Sequence, residues 1–473
     1  MTQSNIPYAL RRYYSGGHPP AGAAAVSSAL PLKGARADRG ARMKETLTDA
    51  ALALPVVILL ISFTLPPEMS ISLGSLRLSP YRICLMIYLF PALMCVIRRQ
   101  EGGFCLPDFC IFLHGIWATL ALIVNMGMAD GIESGGIYFI ETFGAYILAR
   151  AYVPSVRDYR DVVFLIFKIA AVLLAFAALE SLSGHHLIRN IFKAVLGGAG
   201  PHYIEPRLGL TRAFTSFEHP ILFGVFSASA FAGTYYVVAQ GRLCFATLKK
   251  LSVIMGATFF SLSGGPYTAL ALQIGLIAWD KITKGIKGRW YILLSILSAA
   301  WVVLTLLSNR SPILVFISYL TFSARSAYNR VHIWDYGTAE VARHPLFGIG
   351  LNDWIRAPWM SSSMDNYWLL TTVRYGVPAF IFMLLAIILI IKAIHPRKAP
   401  NGLLKNGRKA FVVMLLGFAL SGLTVHFWNA LMVQFFFFLG CGLGLRDQRS
   451  SSVSSIQPQN ERRSRHGSIR YYS

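Results

Sequence analysis

Apolar side chains follow one another along most of this chain in long runs. They show neither the two-residue alternation of a half-exposed strand nor the polar stripe of a surface helix. A helix needs about 20 such residues to cross about 30 Å of hydrocarbon, and about twelve runs approach that length. They fall near 49–65, 80–97, 107–126, 135–153, 162–183, 220–239, 248–262, 266–280, 290–308, 367–392, 409–425 and 427–445. The pattern predicts an all-α integral membrane protein of about twelve transmembrane helices, built as one polytopic domain over 49–445. One long polar stretch, 309–366, interrupts the pattern and has room for short helices of its own.

The two ends read differently. Residues 1–48 are rich in Ala, Gly, Pro and Arg, with no acidic residue before Asp38, and the stretch from 446 to 473 is rich in Ser, Arg and Gln. Both are expected to be disordered tails. Arg11-Arg12-Tyr13 hints at a presequence, but no amphipathic helix accompanies it. Only 14% of the chain is charged against 55% hydrophobic, which excludes an ordinary soluble domain. The net charge of +23 would suit a nucleic-acid partner, but loop asymmetry explains it better. The tails and alternate loops hold 31 of the 44 basic residues. That places both termini in the cytoplasm and turns 309–366 outward. The six cysteines, in or beside apolar runs, read as small hydrophobes, with neither a disulfide framework nor metal spacing.

Charges inside the runs are few. Glu141 and Glu180 lie toward the outer side, where a wet cavity or the headgroup layer would receive them; Lys168, nearer the inner side, is expected to snorkel. The polar chemistry gathers in two outward segments. The first, 184–219, ends in Arg212-Ala-Phe-Thr-Ser-Phe-Glu218-His219-Pro220. Pro220 suits the first position of a helix, so free N–H groups and the positive dipole end would face outward beside Arg212, an arrangement suited to an anion such as phosphate. The second is 309–366, which opens with Arg310. Within it, Arg330 to His344 reads as a helix halted by Pro345, with Arg330, Ile333, Trp334, Gly337 and Val341 on one face. That face is expected on the membrane or in a cavity. Leu346 to Gly350 then turns the chain, and Asp365-Asn366 stands at the mouth of the next span. No phosphate-binding glycine loop, dinucleotide fingerprint or metal cluster is present. An outward site has no ATP supply, so its substrate must arrive activated, and arginines at a membrane suit a lipid-linked phosphate or pyrophosphate.

Arg330-x-x-x-Trp334, then HPLFGIG (344–350), then DNYWLLTTVRYG (365–376) resembles the O-antigen ligase and polymerase superfamily of bacterial membrane proteins. RAFTSFEHPILFG (212–224) and SLSGGPYTALAL (261–272) resemble two earlier segments of that family. The resemblance covers roughly 200–445. It implies an inverting, metal-independent glycosyltransferase, without cofactor, at the periplasmic face of the bacterial inner membrane. The donor would be an undecaprenyl-pyrophosphate-linked oligosaccharide. The acceptor would be a growing lipid-linked glycan in a polymerase, or lipid A core in a ligase, with a flippase and a chain-length regulator as partners. Arg212 and Arg330 match arginines that hold the pyrophosphate, and Arg310 and His219 are grouped with them. Asp365 stands where the family often has His; Asp365, His332 and Glu218 are the candidate catalytic groups, and His332 or His219 would supply the missing imidazole. Gly264-Gly265 stand where Ser-Arg is common, and Arg374 where an acid often precedes glycine. These departures favour an exopolysaccharide polymerase over a ligase. A transporter or flippase of lipid-linked sugars is the rival from another class, and a non-catalytic scaffold is a third.

Overall fold

The computed structural model describes residues 51–74, 76–99, 103–197, 200–309, 315, 324–395 and 402–446. The predicted tails, apart from Arg446, lie outside them, as does Arg310. Helices overlie every predicted apolar run. α1 (Leu54–Ser62) leads into a hairpin of β1 (Ile71–Leu73) and β2 (Leu76–Leu78). Then come α2 (Pro80–Ile97), α3 (Leu106–Met126) and α4 (Met128–Phe139), which passes through a π turn (Ile140–Gly144) into α5 (Ala145–Tyr152). α6 (Val156–Ser183), α7 (Leu187–Leu196), α8 (Pro220–Val238), α9 (Phe245–Phe260), α10 (Gly264–Ile282) and α11 (Arg289–Leu307) follow. The last are α12 (Ala324–Arg343), α13 (Tyr367–Ile394), α14 (Gly402–Gly422) and α15 (Ala430–Leu445).

Among the described residues, six helices, α2, α3, α6, α8, α11 and α13, are long and apolar enough to cross a membrane. The protein is a mostly helical, multi-pass membrane protein. Prolines start several helices where the missing N–H costs nothing: Pro80 in α2, Pro107 in α3 and Pro220 in α8. α8 is the most enclosed of the six, packed by α6, α9, α10, α14 and α15. An aromatic cluster of Tyr367, Phe418, Phe427, Phe435 and Phe438 joins α13, α14 and α15. All six cysteines are free thiols.

α12 stops two residues before Pro345, as its sequence predicts. Its apolar face is not turned to lipid. Ile333, Trp334 and Val341 pack with Met364, Leu369, Leu370 and Val373 of α13 and the loop before it, because α13 offers an apolar surface one helix diameter away. The segment after α12 is built into α13 as well. Gly376 sits inside α13 at φ +84°, so the helix breaks there. The break releases the carbonyls of Val373 and Arg374, which accept from Ile349 N and Gly350 N at 2.9 Å each. Val377 N, freed on the other side, donates to Pro345 O at 2.8 Å. Irregular backbone at such depth is tolerated when protein satisfies its polar groups. α3 completes the seal: Trp117 Nε1 donates to Leu346 O and stacks on Phe347, and Asn125 Nδ2 donates to Phe347 O.

Candidate functional site

The loop 423–429, between α14 and α15, is the hub on which the polar groups converge. Thr424 O accepts from Arg330 Nη2 at 3.3 Å, and Val425 O accepts from Tyr367 N. Asn429, at φ +50°, donates from Nδ2 to Glu218 Oε2 at 2.5 Å. Trp428 lies between two imidazoles, His219 at 5.5 Å and His426 at 5.6 Å between ring centroids. Gly265 makes this approach possible, since a Cβ there would stand 2.4 Å from Val425 Cγ2. The glycine pair Gly264-Gly265 is thus where the hub loop presses against α10.

On one side of the hub lie three guanidinium groups. The backbone on either side of Arg212 is pinned: Thr211 N donates to Ser181 O at the end of α6, and Ala213 N to Phe260 O at the end of α9. Glu180 holds the next residues, accepting from Phe214 N and Thr215 N and from His186 Nδ1. Glu180 is therefore a buried clamp for this segment. Arg212 Nη2 donates to Ser263 Oγ at 2.8 Å, and Arg207 Nη1 to the neighbouring Leu262 O at 3.0 Å. Burial, then the charge of Arg207, push the Arg212 guanidinium down to about 10. Burial also lowers Arg330, with Asp365 acting against the shift and Arg207 adding to it. Arg207 is thus within electrostatic reach of both. Arg212 Nε and Arg330 Nε and Nη1 are buried donors with no protein acceptor. Each such group costs on the order of 1–3 kcal/mol, more when charged, and an anion is the chemistry such donors suit.

His219 caps α8, its Nδ1 accepting from Ile221 N at 3.2 Å. That bond assigns the proton to Nε2. Burial first, then Arg212, His202 and Arg207, lower this imidazole to about 3. His219 is neutral at ordinary pH and offers an N–H donor, not a charge. Asp365 accepts from Ser363 Oγ at 2.8 Å beside Arg330. His332 packs edge-on against Trp359 and adds no contact to this group among the described residues.

On the other side of the hub is a cavity of about 250 Å³. Arg82, Glu141, Arg374, His426 and Asn429 line it with Tyr138, Tyr367, Tyr375 and Trp428. Glu141 lies in the π turn between α4 and α5, a distortion frequent at functional sites. Arg82 Nε donates to Glu141 Oε1 at 2.6 Å across 59 residues of sequence. Arg374 forms no ion pair among the described residues. Glu218 stands in the wall between the two sides, bonded to Asn429 of the cavity and adjacent in sequence to His219 of the arginine cluster.

Arg212, His219 and Arg330 are therefore joined through Arg207, with Asp365 beside Arg330 and Glu218 one wall away. Arg207, Arg82, His426 and Asn429 were not among the sequence candidates. The one signal for the hub was His426-Phe-Trp-Asn429 breaking two apolar runs; nothing in the sequence pairs Arg82 with Glu141. No family model and no curated protein matches the chain.

Proposed function

We propose that this protein transfers an oligosaccharide from a lipid-linked pyrophosphate to a glycan acceptor at the outer face of a bacterial inner membrane, as a polysaccharide polymerase. In this reading the chain crosses the membrane about twelve times, both termini are cytoplasmic, and 309–366 and 184–219 face outward. The observation that carries it is the group of Arg207, Arg212 and Arg330, in which Arg207 acts on each of the two buried arginines and three buried N–H donors lack a protein acceptor, an arrangement suited to a multiply charged phosphate ester. The motif resemblance over 200–445 adds direction to it.

The acceptor hydroxyl attacks the anomeric carbon of the donor. The bond from that carbon to the pyrophosphate oxygen breaks, and the bonding pair leaves with the pyrophosphate. Arg207, Arg212 and Arg330 stabilise the charge that grows there, with His219 Nε2–H as a further donor. Glu218 is the group to take the hydroxyl proton, since it stands between the arginine cluster and the cavity. Asp365 lies within electrostatic reach of Arg330. A ligase acting on lipid A core would use the same donor side.

A melting experiment tests the anion reading. Inorganic pyrophosphate and a polyprenyl pyrophosphate should raise the melting temperature of the purified protein, and Arg330→Ala should remove the rise. Equal stabilisation of both proteins would end the proposal.

The broken α13 and the intramembrane Arg82–Glu141 pair favour a second reading, a transporter of lipid-linked sugars, because such proteins bind substrate at discontinuous helices. Proteoliposomes separate the two. A transporter moves the intact lipid-linked glycan across the bilayer without altering glycan length.

A further inference from the structure

α7 is too short to cross a membrane. Its 10 residues, which include Arg189 and Lys193, extend over about 15 Å. At helical spacing they divide into three faces. Ile188, Arg189 and Phe192 turn to the protein: Ile188 packs against the core, Arg189 is buried and Phe192 is half-buried. Leu187, Ile191 and Val195, four residues apart, form an apolar edge, with Ile191 62% and Val195 75% exposed. Asn190 and Lys193 form a polar edge that is exposed as well. An amphipathic helix on a water-soluble protein buries its apolar stripe and leaves its charges outside. Here a guanidinium is buried while three aliphatic side chains stay uncovered.

Specific ties hold α7 in this attitude. Arg189 pairs with Glu68 in the turn between α1 and β1, its Nε 3.0 Å from Oε1, and its Nη2 donates to Gly200 O at 2.9 Å. His186, the residue before the helix, packs on Phe214 with ring centroids 4.2 Å apart and donates from Nδ1 to Glu180. The apolar edge also continues an exposed apolar surface of α6, a helix long and apolar enough to cross a membrane. Val172, Phe176 and Leu179 share an exposed face of α6, and Leu182 carries the exposed apolar surface to its end. Gly184 then turns the chain at φ +76°, and Leu187 opens α7 three residues later.

We infer that α7 lies in the plane of the bilayer surface, with Leu187, Ile191 and Val195 among the lipid acyl chains and Asn190 and Lys193 in water. Protein, hydrocarbon and water then each meet one face, as an interfacial helix requires. The occupant of the apolar edge is the bilayer itself, because that edge prolongs the lipid-facing stripe of a spanning helix. The contact reaches the arginine segment through one carboxylate. Glu180, which receives His186 at the start of α7, also accepts from Phe214 N at 2.9 Å and Thr215 N at 3.0 Å. Seating α7 on the bilayer therefore steadies the backbone beside Arg212 and fixes its level relative to the membrane surface.

Nitroxide labels test this in the full-length protein carrying Cys244→Ser, which removes the exposed native thiol. Labels are placed singly through Leu187→Cys, Asn190→Cys, Ile191→Cys, Lys193→Cys and Val195→Cys, and the protein is held in phosphatidylcholine nanodiscs. Collision with oxygen, which concentrates in hydrocarbon, should dominate at 187, 191 and 195. Collision with a water-soluble nickel chelate should dominate at 190 and 193. Nickel access at 191 and 195 equal to that at 190 and 193 would overturn the inference, because the edge would then face water. Shielding of 191 and 195 from both reagents would overturn it too, because a protein partner would then cover the edge. Combining Ile191→Glu with Val195→Glu should speed hydrogen exchange of the amides 213–215 in the nanodisc; unchanged exchange would overturn the link to the arginine segment. The single labels sit at exposed positions, so their pattern decides the placement of α7 even should the double variant fail to fold. Arg330→Ala should leave the label pattern unchanged, so failure of the proposed transfer and failure of the interfacial helix are read separately.

Discussion

Replacing Gly376 by alanine should cost this protein more than any loss of buried apolar surface at that position could explain. Gly376 holds φ +84° and ψ 167°, a region open to glycine and almost nothing else. A Cβ there would lie 1.9 Å from Leu346 O and 2.4 Å from Leu346 C, both backbone atoms that cannot rotate away. The segment 345–350 must therefore leave the break in α13. Three hydrogen bonds go with it, from Ile349 N, Gly350 N and Val377 N. The backbone strain costs about 1–3 kcal/mol and each lost bond about 1 kcal/mol, so the total is on the order of 5 kcal/mol. Gly275 in α10 is the control, since nothing lies within 4 Å of a Cβ there and its helix is regular. Gly275→Ala should be neutral or stabilising by about 0.5–1 kcal/mol. The assay is the temperature at which the detergent-solubilised protein loses its monodisperse peak. Gly376→Ala should melt well below wild type and Gly275→Ala at or above it. Wild-type melting of Gly376→Ala would refute the account of the broken helix, and with it the placement of Arg374 in the cavity.

Other outcomes follow from the site. Glu218→Gln should lower turnover by about 10²–10⁴-fold, the range of a lost general base, while His332→Gln should stay near wild type; equal effects in the two would remove Glu218 from the proton transfer. Burial holds the folded His219 near 3, below its ordinary 6.5, so the unfolded chain takes up a proton first as pH falls. Its contribution to stability is complete above pH 6.5 and is lost as pH falls toward 3. His219→Asn keeps an N-cap acceptor and should lose less stability than wild type between about pH 6.5 and 4 in a melting series; parallel curves would contradict the burial argument. His426, also lowered to about 3, imposes the same trend on both proteins, so the difference between curves is the readout. Arg207→Ala should weaken protection by pyrophosphate without moving the hub loop, read as a lost melting shift with unchanged basal melting; a retained shift would take Arg207 out of the anion site.

Much of the fold was legible because apolar run length and proline placement act locally. Pro80 and Pro220 begin their helices, and α12 ends before Pro345, where the sequence predicts. Arg212, Arg330 and His219 were legible as polar groups near helix ends. What stayed hidden depends on contacts distant in sequence. Arg82 meets Glu141 across 59 residues, and no periodicity marks either one. The break at Gly376 is invisible because the residues around it are as apolar as those of an unbroken helix, and only the docking of 345–350 explains it. The hub at 423–429 was masked by its neighbours: Val425, Phe427 and Trp428 read as part of two spans, while the loop's value lies in carbonyls and Asn429 that composition cannot reveal. The face of α12 was legible as apolar and was expected on the membrane or in a cavity; its cover by α13 depends on residues more than twenty positions away.

The central claim is that guanidinium groups hold a lipid-linked pyrophosphate while its sugar is transferred. Proteoliposomes containing the protein and a polyprenyl-pyrophosphate oligosaccharide, with no nucleotide added, measure it directly by the length of the glycan product. The account predicts lengthened glycan with the wild-type protein and none with Arg212→Ala or Arg330→Ala, both correctly folded. Unchanged product from both variants, or intact lipid-linked glycan moved across the bilayer with no change in length, would contradict it.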